Sequence, residues 1–236
     1  MTAKLNADYA NQYAAFSQQR GAPLLESDFV SALGAILLPS IGSVAVPSGR
    51  AVAACLYQRM SDPALHYHTP LHILSMLSFA QDHGIELEPW QELAVWFHDA
   101  VYWPAAPHGE NEHNSAIFMH ALLSSVVKAD VLDRAAAAIE ATALHDHAEV
   151  DPLHHWILDL DLCNFAWDRP NYAAASQNVA REFCSLVGPE RYRTGRREFL
   201  STMLSKGTFY RTALFQSRFE AAARANLEQD LQLCAD

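Results

Sequence analysis

Along nearly the whole chain apolar side chains return every three or four positions, while strict apolar/polar alternation is almost absent. That period belongs to one face of an α-helix, so the pattern predicts an all-α fold. A leading helix is expected over about 4–19, before the break at Gly21 to Pro23, and a second over about 27–38, before Pro39. Pro47-Ser48 opens a third that runs to about Met60. The clearest start is Thr69-Pro70, a hydroxyl placed to cap and a proline at the first helical position; this helix should reach Asp82 and stop at Gly84. Pro89 opens another, whose apolar stripe Leu93, Ala94, Phe97 and Val101 puts His98 and Asp99 near its C-terminal end. After a loop at 104–109, helices are expected over about 114–127, 131–144, 151–165, 170–187, 195–204 and 208–233.

No internal repeat, low-complexity tract or linker interrupts the series, and 236 residues suit one domain. The expectation is a single helical bundle over 1–236, the helices of 1–60 packing on a core of 61–226. A core of that size is stable without disulfides or structural zinc, which leaves any bound metal free for chemistry. The 4 cysteines, Cys55, Cys163, Cys184 and Cys234, form no CxxC pair and read as buried free thiols. No apolar run approaches the roughly 18 residues that a membrane span needs. The opening segment MTAKLNADYANQYAAF lacks the pattern of a secretory signal, so a cytoplasmic protein is expected.

A net charge of −11 disfavours nucleic-acid polymers, whose binding rests on lysines and arginines neutralising phosphates. A small substrate fits better, and a homo-oligomer is compatible with this composition. The 12 histidines change the picture further, because imidazole binds metals and moves protons near neutral pH. Four segments bring metal-ligand types close to helix ends: His68 and His72, His98-Asp99, His145 and His147, and Asp159 and Asp161. Imidazoles with carboxylates suit divalent ions, and a two-metal site makes a nucleophile of water and stabilises charge developing at phosphorus. Any one of these histidines could instead be a half-buried polar residue. His98-Asp99 stands out because the apolar run Leu93 to Phe97 carries it into the interior, where charge needs a partner or a metal.

The ordered set His72, His98-Asp99, Asp161 resembles the HD superfamily of metal-dependent phosphohydrolases, over about residues 55–226. The stretch Tyr67 to His72 is similar to the YHNxxH segment of cyclic-nucleotide phosphodiesterases, and Asp161-Leu162-Cys163-Asn164 to their Asp-Leu-Ser-Asn segment. Bacterial HD proteins described as predicted phosphohydrolases share Tyr-His-Thr-x-x-His, Phe97-His98-Asp99, Tyr102, Asn111-Glu112, Ser115-Ala116 and an Arg-Glu pair like Arg181-Glu182. The resemblance implies an HD-type bundle with His72, His98, Asp99 and Asp161 as metal ligands, Asp99 bridging to a second ion, and it selects Asp161 over Asp159. It makes His68 the general acid, and Glu112 then holds a metal-bound water or orients a ligand. The cofactor would be one or two divalent ions, with Mn, Fe, Zn, Mg and Ni not distinguished.

Two positions depart from the family. Asn111 stands where richer sites carry a histidine, and Leu65 where an arginine is common. His145 is either a further ligand or a solvated helix end; His147 reads as solvent-facing. Tyr102, Arg181, Arg197 and Tyr210, with Arg211 and Arg224, are candidates to contact substrate phosphate, although each arginine could equally brace two helices. Trp96 and Trp103 could flank a nucleobase. The function expected is hydrolysis of a phosphomonoester or phosphodiester in a small, nucleotide-like molecule. A diiron oxygenase and a non-catalytic ligand-binding module are the alternatives.

Overall fold

The computed structural model describes residues 46–145 and 149–234, together with Asn11, Tyr13, Ala14, Ser31 and Leu33. His147 and most of the expected helices at 4–19 and 27–38 lie outside the described residues, although the five isolated positions are helical. Among the described residues the structure is all-α, a single bundle of ten α-helices with no strand. They are α1 (Val46–Met60), α2 (Pro70–Asp82), α3 (Pro89–Phe97), α4 (Glu110–Leu123), α5 (Ala129–Ala141), α6 (His155–Asp161), α7 (Arg169–Val187), α8 (Pro189–Ser205), α9 (Ala213–Arg218) and α10 (Glu220–Leu233).

Several boundaries differ from the pattern, each for a local reason. Helix α4 starts at Glu110, four positions early, because Gly109 turns the chain with φ +79° and no side chain to strain. The expected helix over 151–165 is three pieces: a 3₁₀ turn at Pro152–His154, then α6, then a second 3₁₀ turn at Cys163–Ala166. The segment 208–233 divides at Phe219 into α9 and α10. Helix α8 opens at Pro189, directly after Gly188, so Gly195 lies inside it and not at its start. Thr69 does take the N-cap position of α2, yet its hydroxyl makes no cap hydrogen bond; the helix start rests on Pro70.

One apolar cluster holds the bundle. Leu33, Leu56, Leu71, Met76, Trp96, Ile139, Leu160 and Leu227 are all fully buried in it. Helices α3, α4 and α5 pack on one another, α7, α8 and α10 gather around the 163–166 turn, and α6 touches α2 and α3 on the way to that turn. Short α6 therefore joins the two groups, and its last residue, Asp161, emerges where they meet. Among the described residues no helix is long and apolar enough to cross a membrane. Of the cysteines only Cys163 is buried; Cys55 is exposed, and all four are free.

Candidate metal centre

Three elements deliver the ligand types. His72 sits in the first turn of α2, His98 and Asp99 follow the last turn of α3, and Asp161 ends α6. All are drawn inward by their neighbours: Leu71, Ile73 and Phe97 are fully buried, and Leu160 with them. Four donor atoms, one each from His72, His98, Asp99 and Asp161, lie within 4.8 Å of one another. His72 Nε2 is 3.2 Å from His98 Nε2 and 3.0 Å from Asp161 Oδ1. Asp99 Oδ2 is 3.0 Å from His98 Nε2 and 3.5 Å from His72 Nε2.

These separations test the fit to a metal. Donors bound at about 2.1 Å to one ion stand about 3.0 Å apart in an octahedron and about 3.4 Å in a tetrahedron. The spacings of 3.0–3.2 Å fall in that interval, and Asp99 to His72 at 3.5 Å lies just above it. The tautomer agrees: His98 Nδ1 donates to the Val95 carbonyl at 2.9 Å, which leaves the Nε2 lone pair facing the cluster. Without a cation, buried lone pairs and carboxylates would repel. Burial alone would lower the proton affinity of His98, but the Asp99 and Asp161 carboxylates outweigh it and hold the pKa well above the usual histidine value. Burial works against ionised Asp161 too, yet His145, His72 and His98 bring its pKa well below the carboxylate range. The cluster favours a positive occupant, and its four donors could hold a metal ion.

The two neighbouring candidates separate cleanly. His145 stays outside the four-donor group; its Nε2 lies 2.8 Å from Asp161 Oδ2, on the carboxylate oxygen opposite the one facing His72. Its backbone is braced from the C-terminal half, Lys206 Nζ donating to its carbonyl at 3.0 Å. Asp159, two residues from Asp161, faces the other way. Its carboxylate accepts from the Arg211 and Thr212 amides and the Thr212 hydroxyl at 2.7–2.8 Å. Asp159 ties down the start of α9, and Asp161 is left for the cluster.

His68 stands beside the four-donor cluster, 13% exposed, with Nδ1 2.5 Å from Glu182 Oε1. The other Glu182 oxygen accepts the backbone N–H groups of His66, Tyr67 and His68 at 2.7, 2.9 and 3.3 Å. One fully buried carboxylate on α7 thus sets both the backbone and the ring of the His68 turn. The ring of Tyr102 stacks on His68 with centroids 3.5 Å apart. Burial would lower the His68 pKa, but Glu182 and Asp99 raise it above the usual value on balance.

A cleft of about 530 Å³ opens over these groups. His68, Asp99, Tyr102, Glu112, His145 and Asp161 line one end of it. Burial, with Asp99 nearby, raises the pKa of Glu112. Asn111 makes no approach to the cluster: its amide pairs with the backbone N–H and carbonyl of Trp103, both at 3.0 Å, and pins the 102–104 loop. Other expected substrate contacts are placed elsewhere. Arg181 and Arg197 are exposed and absent from the cleft lining. Tyr210 is buried, donating to the Leu162 carbonyl at 2.9 Å, and Arg224 is spent on Glu220 and the carbonyls of Leu204 and Lys206. Arg211 donates to the Leu144 carbonyl. Trp96 is in the core and Trp103 is 61% exposed, neither lining the cleft.

Pattern reading missed Glu182, whose only signal is the Arg181-Glu182 dipeptide, and the lining arginines Arg191 and Arg196. Comparison with family models, with curated proteins and with solved structures finds no match to this chain.

Proposed function

We propose that the chain is a metal-dependent phosphohydrolase of the HD type, acting on a small phosphoester. The carrying observation is the convergence of His72, His98, Asp99 and Asp161 within 4.8 Å at one end of a cleft that His68 also lines. Held by those four residues, one or two divalent ions would supply a water acidic enough to attack phosphorus near neutral pH.

The chain's own groups account for the remainder. Asp99, Asp161 and Glu112 line the cleft as acceptors that can orient the attacking water. Glu182 holds His68 by Nδ1, so Nε2 is the nitrogen free to give a proton. As the bond between phosphorus and the departing oxygen breaks, protonated His68 supplies that oxygen's proton, and the Glu182 carboxylate keeps the ring charged until then. Tyr102, stacked on His68, restricts the ring to that pose. Among the described residues His145 bonds to Asp161 outside the four-donor group, which supports hydrolysis over the diiron alternative, whose site is richer in histidine.

The test is metal analysis of protein purified without chelator, followed by a phosphoester panel. Metal-dependent turnover is expected, abolished in His98→Ala and Asp99→Ala proteins that still fold. His68→Ala should keep its metal and lose turnover by about 10²–10⁴-fold. A folded, metal-loaded protein inert towards every ester would refute the reading.

A further inference from the structure

The cleft is chemically divided. Beyond the metal-ligand end its walls are Phe165, Val179, Phe183, Val187, Tyr192 and Phe199, supplied mainly by facing sides of α7 and α8. Most polar side chains in this half are committed to one another; the exceptions are Arg191, which is exposed, and the half-buried Tyr192. Asp230 Oδ2 accepts from the Tyr172 hydroxyl at 2.8 Å, the Ser176 hydroxyl at 3.0 Å and the Arg196 guanidinium at 2.7 Å. The Arg196 charge is thereby neutralised by Asp230, and the guanidinium also lies 5.6 Å from the centre of the Phe199 ring. Its Nε is a buried donor without a partner. The unpartnered acceptor of the lining, Asn164 Oδ1, belongs to the turn right after Asp161, at the metal end.

A nucleobase or a sugar is recognised by several hydrogen bonds to its edge or hydroxyls, and burying those groups unpaired costs binding. This half of the cleft offers few, the exposed Arg191 guanidinium, the Tyr192 hydroxyl and Arg196 Nε, against walls that are mainly apolar. An aryl or branched alkyl group would instead gain the transfer free energy of its apolar surface.

We propose that the substrate is a phosphoester of a small apolar or aromatic alcohol, its organic group held in the slot between α7 and α8 and its phosphate at the four-donor cluster. The inference rests on the phosphohydrolase reading for the phosphate end only. It replaces the nucleotide-like substrate expected from the sequence with one whose organic part carries few polar groups.

Calorimetric titration of the metal-loaded full chain tests it with four probes: inorganic phosphate, methylphosphonate, phenylpropylphosphonate and neutral phenylpropanol. Phenylpropylphosphonate should bind at least about tenfold more tightly than methylphosphonate. Val179→Phe, which fills the slot, should remove that advantage and leave methylphosphonate binding unchanged. Phe183→Ala, which takes away a wall without adding bulk, should weaken phenylpropylphosphonate by about three- to tenfold and leave methylphosphonate unchanged. Equal binding of the two phosphonates by the unmodified chain, or an advantage that survives both substitutions, would overturn the apolar slot while leaving phosphate binding intact. If no anion binds, the phosphohydrolase reading fails, and the proposed substrate with it. Phenylpropanol binding, weakened by the same two substitutions, would then support the slot's apolar preference alone.

Discussion

Glu182 satisfies three backbone amides and one imidazole with two oxygens, although it is fully buried. Its pKa illustrates the balance: burial alone would raise it, but His68 and the amides bring it below the usual carboxylate range. Glu182→Gln retains an acceptor and removes the charge. Since His68 must be protonated to act, and the carboxylate is what lifts its pKa, the alkaline limb of kcat/KM should move to lower pH in Glu182→Gln. A pH–rate profile with metal content held constant reads this; an unchanged limb would remove Glu182 from the proton chemistry. His145→Ala leaves the four donors in place but frees Asp161 Oδ2, and should weaken metal affinity by about 10–100-fold in a competition titration. No loss would mean that Asp161 needs no outer support.

At the scale of elements, α6 shows how two aspartates two residues apart take different duties. Asp159→Ala would leave the Arg211 and Thr212 amides without their acceptor, at a cost of about 3 kcal/mol in chemical denaturation. The same substitution should spare the donor atoms of the metal site. Much of this was legible in the chain. Pro70 and Pro89 each stand at a helix start, and the apolar run before His98 signalled an inward-facing pair. What stayed hidden depended on tertiary partners or on helix phase. A buried glutamate is written with the same letter as a solvated one, so Glu182 carried no mark of its role. Taking Gly195 as the start of α8 misjudged where that helix begins, and of its arginines Arg191 and Arg196 line the cleft while Arg197 does not. Asn111 was noticed as a departure, but only the fold shows that it braces a loop.

For the whole molecule, the cluster links segments from residue 72 to residue 161, so a bound ion stabilises the folded state by mass action. At a free-metal concentration of about 100 Kd this is worth about 2.7 kcal/mol, and a chelator should lower Tm by about 5–10 °C. A Tm indifferent to both chelator and added metal would argue that no ion is held there. Helix α7 gives the molecule one more property, because Val179, Glu182 and Phe183 share a face of the same rod. The wall that meets the organic group and the grip on the proton donor cannot move independently. An ester too wide for the slot must push this rod aside, and the push is transmitted to His68. Oversized esters should therefore dock and stall, with kcat falling more than KM rises, so that selection is exercised in the act of bond breaking as well as at entry.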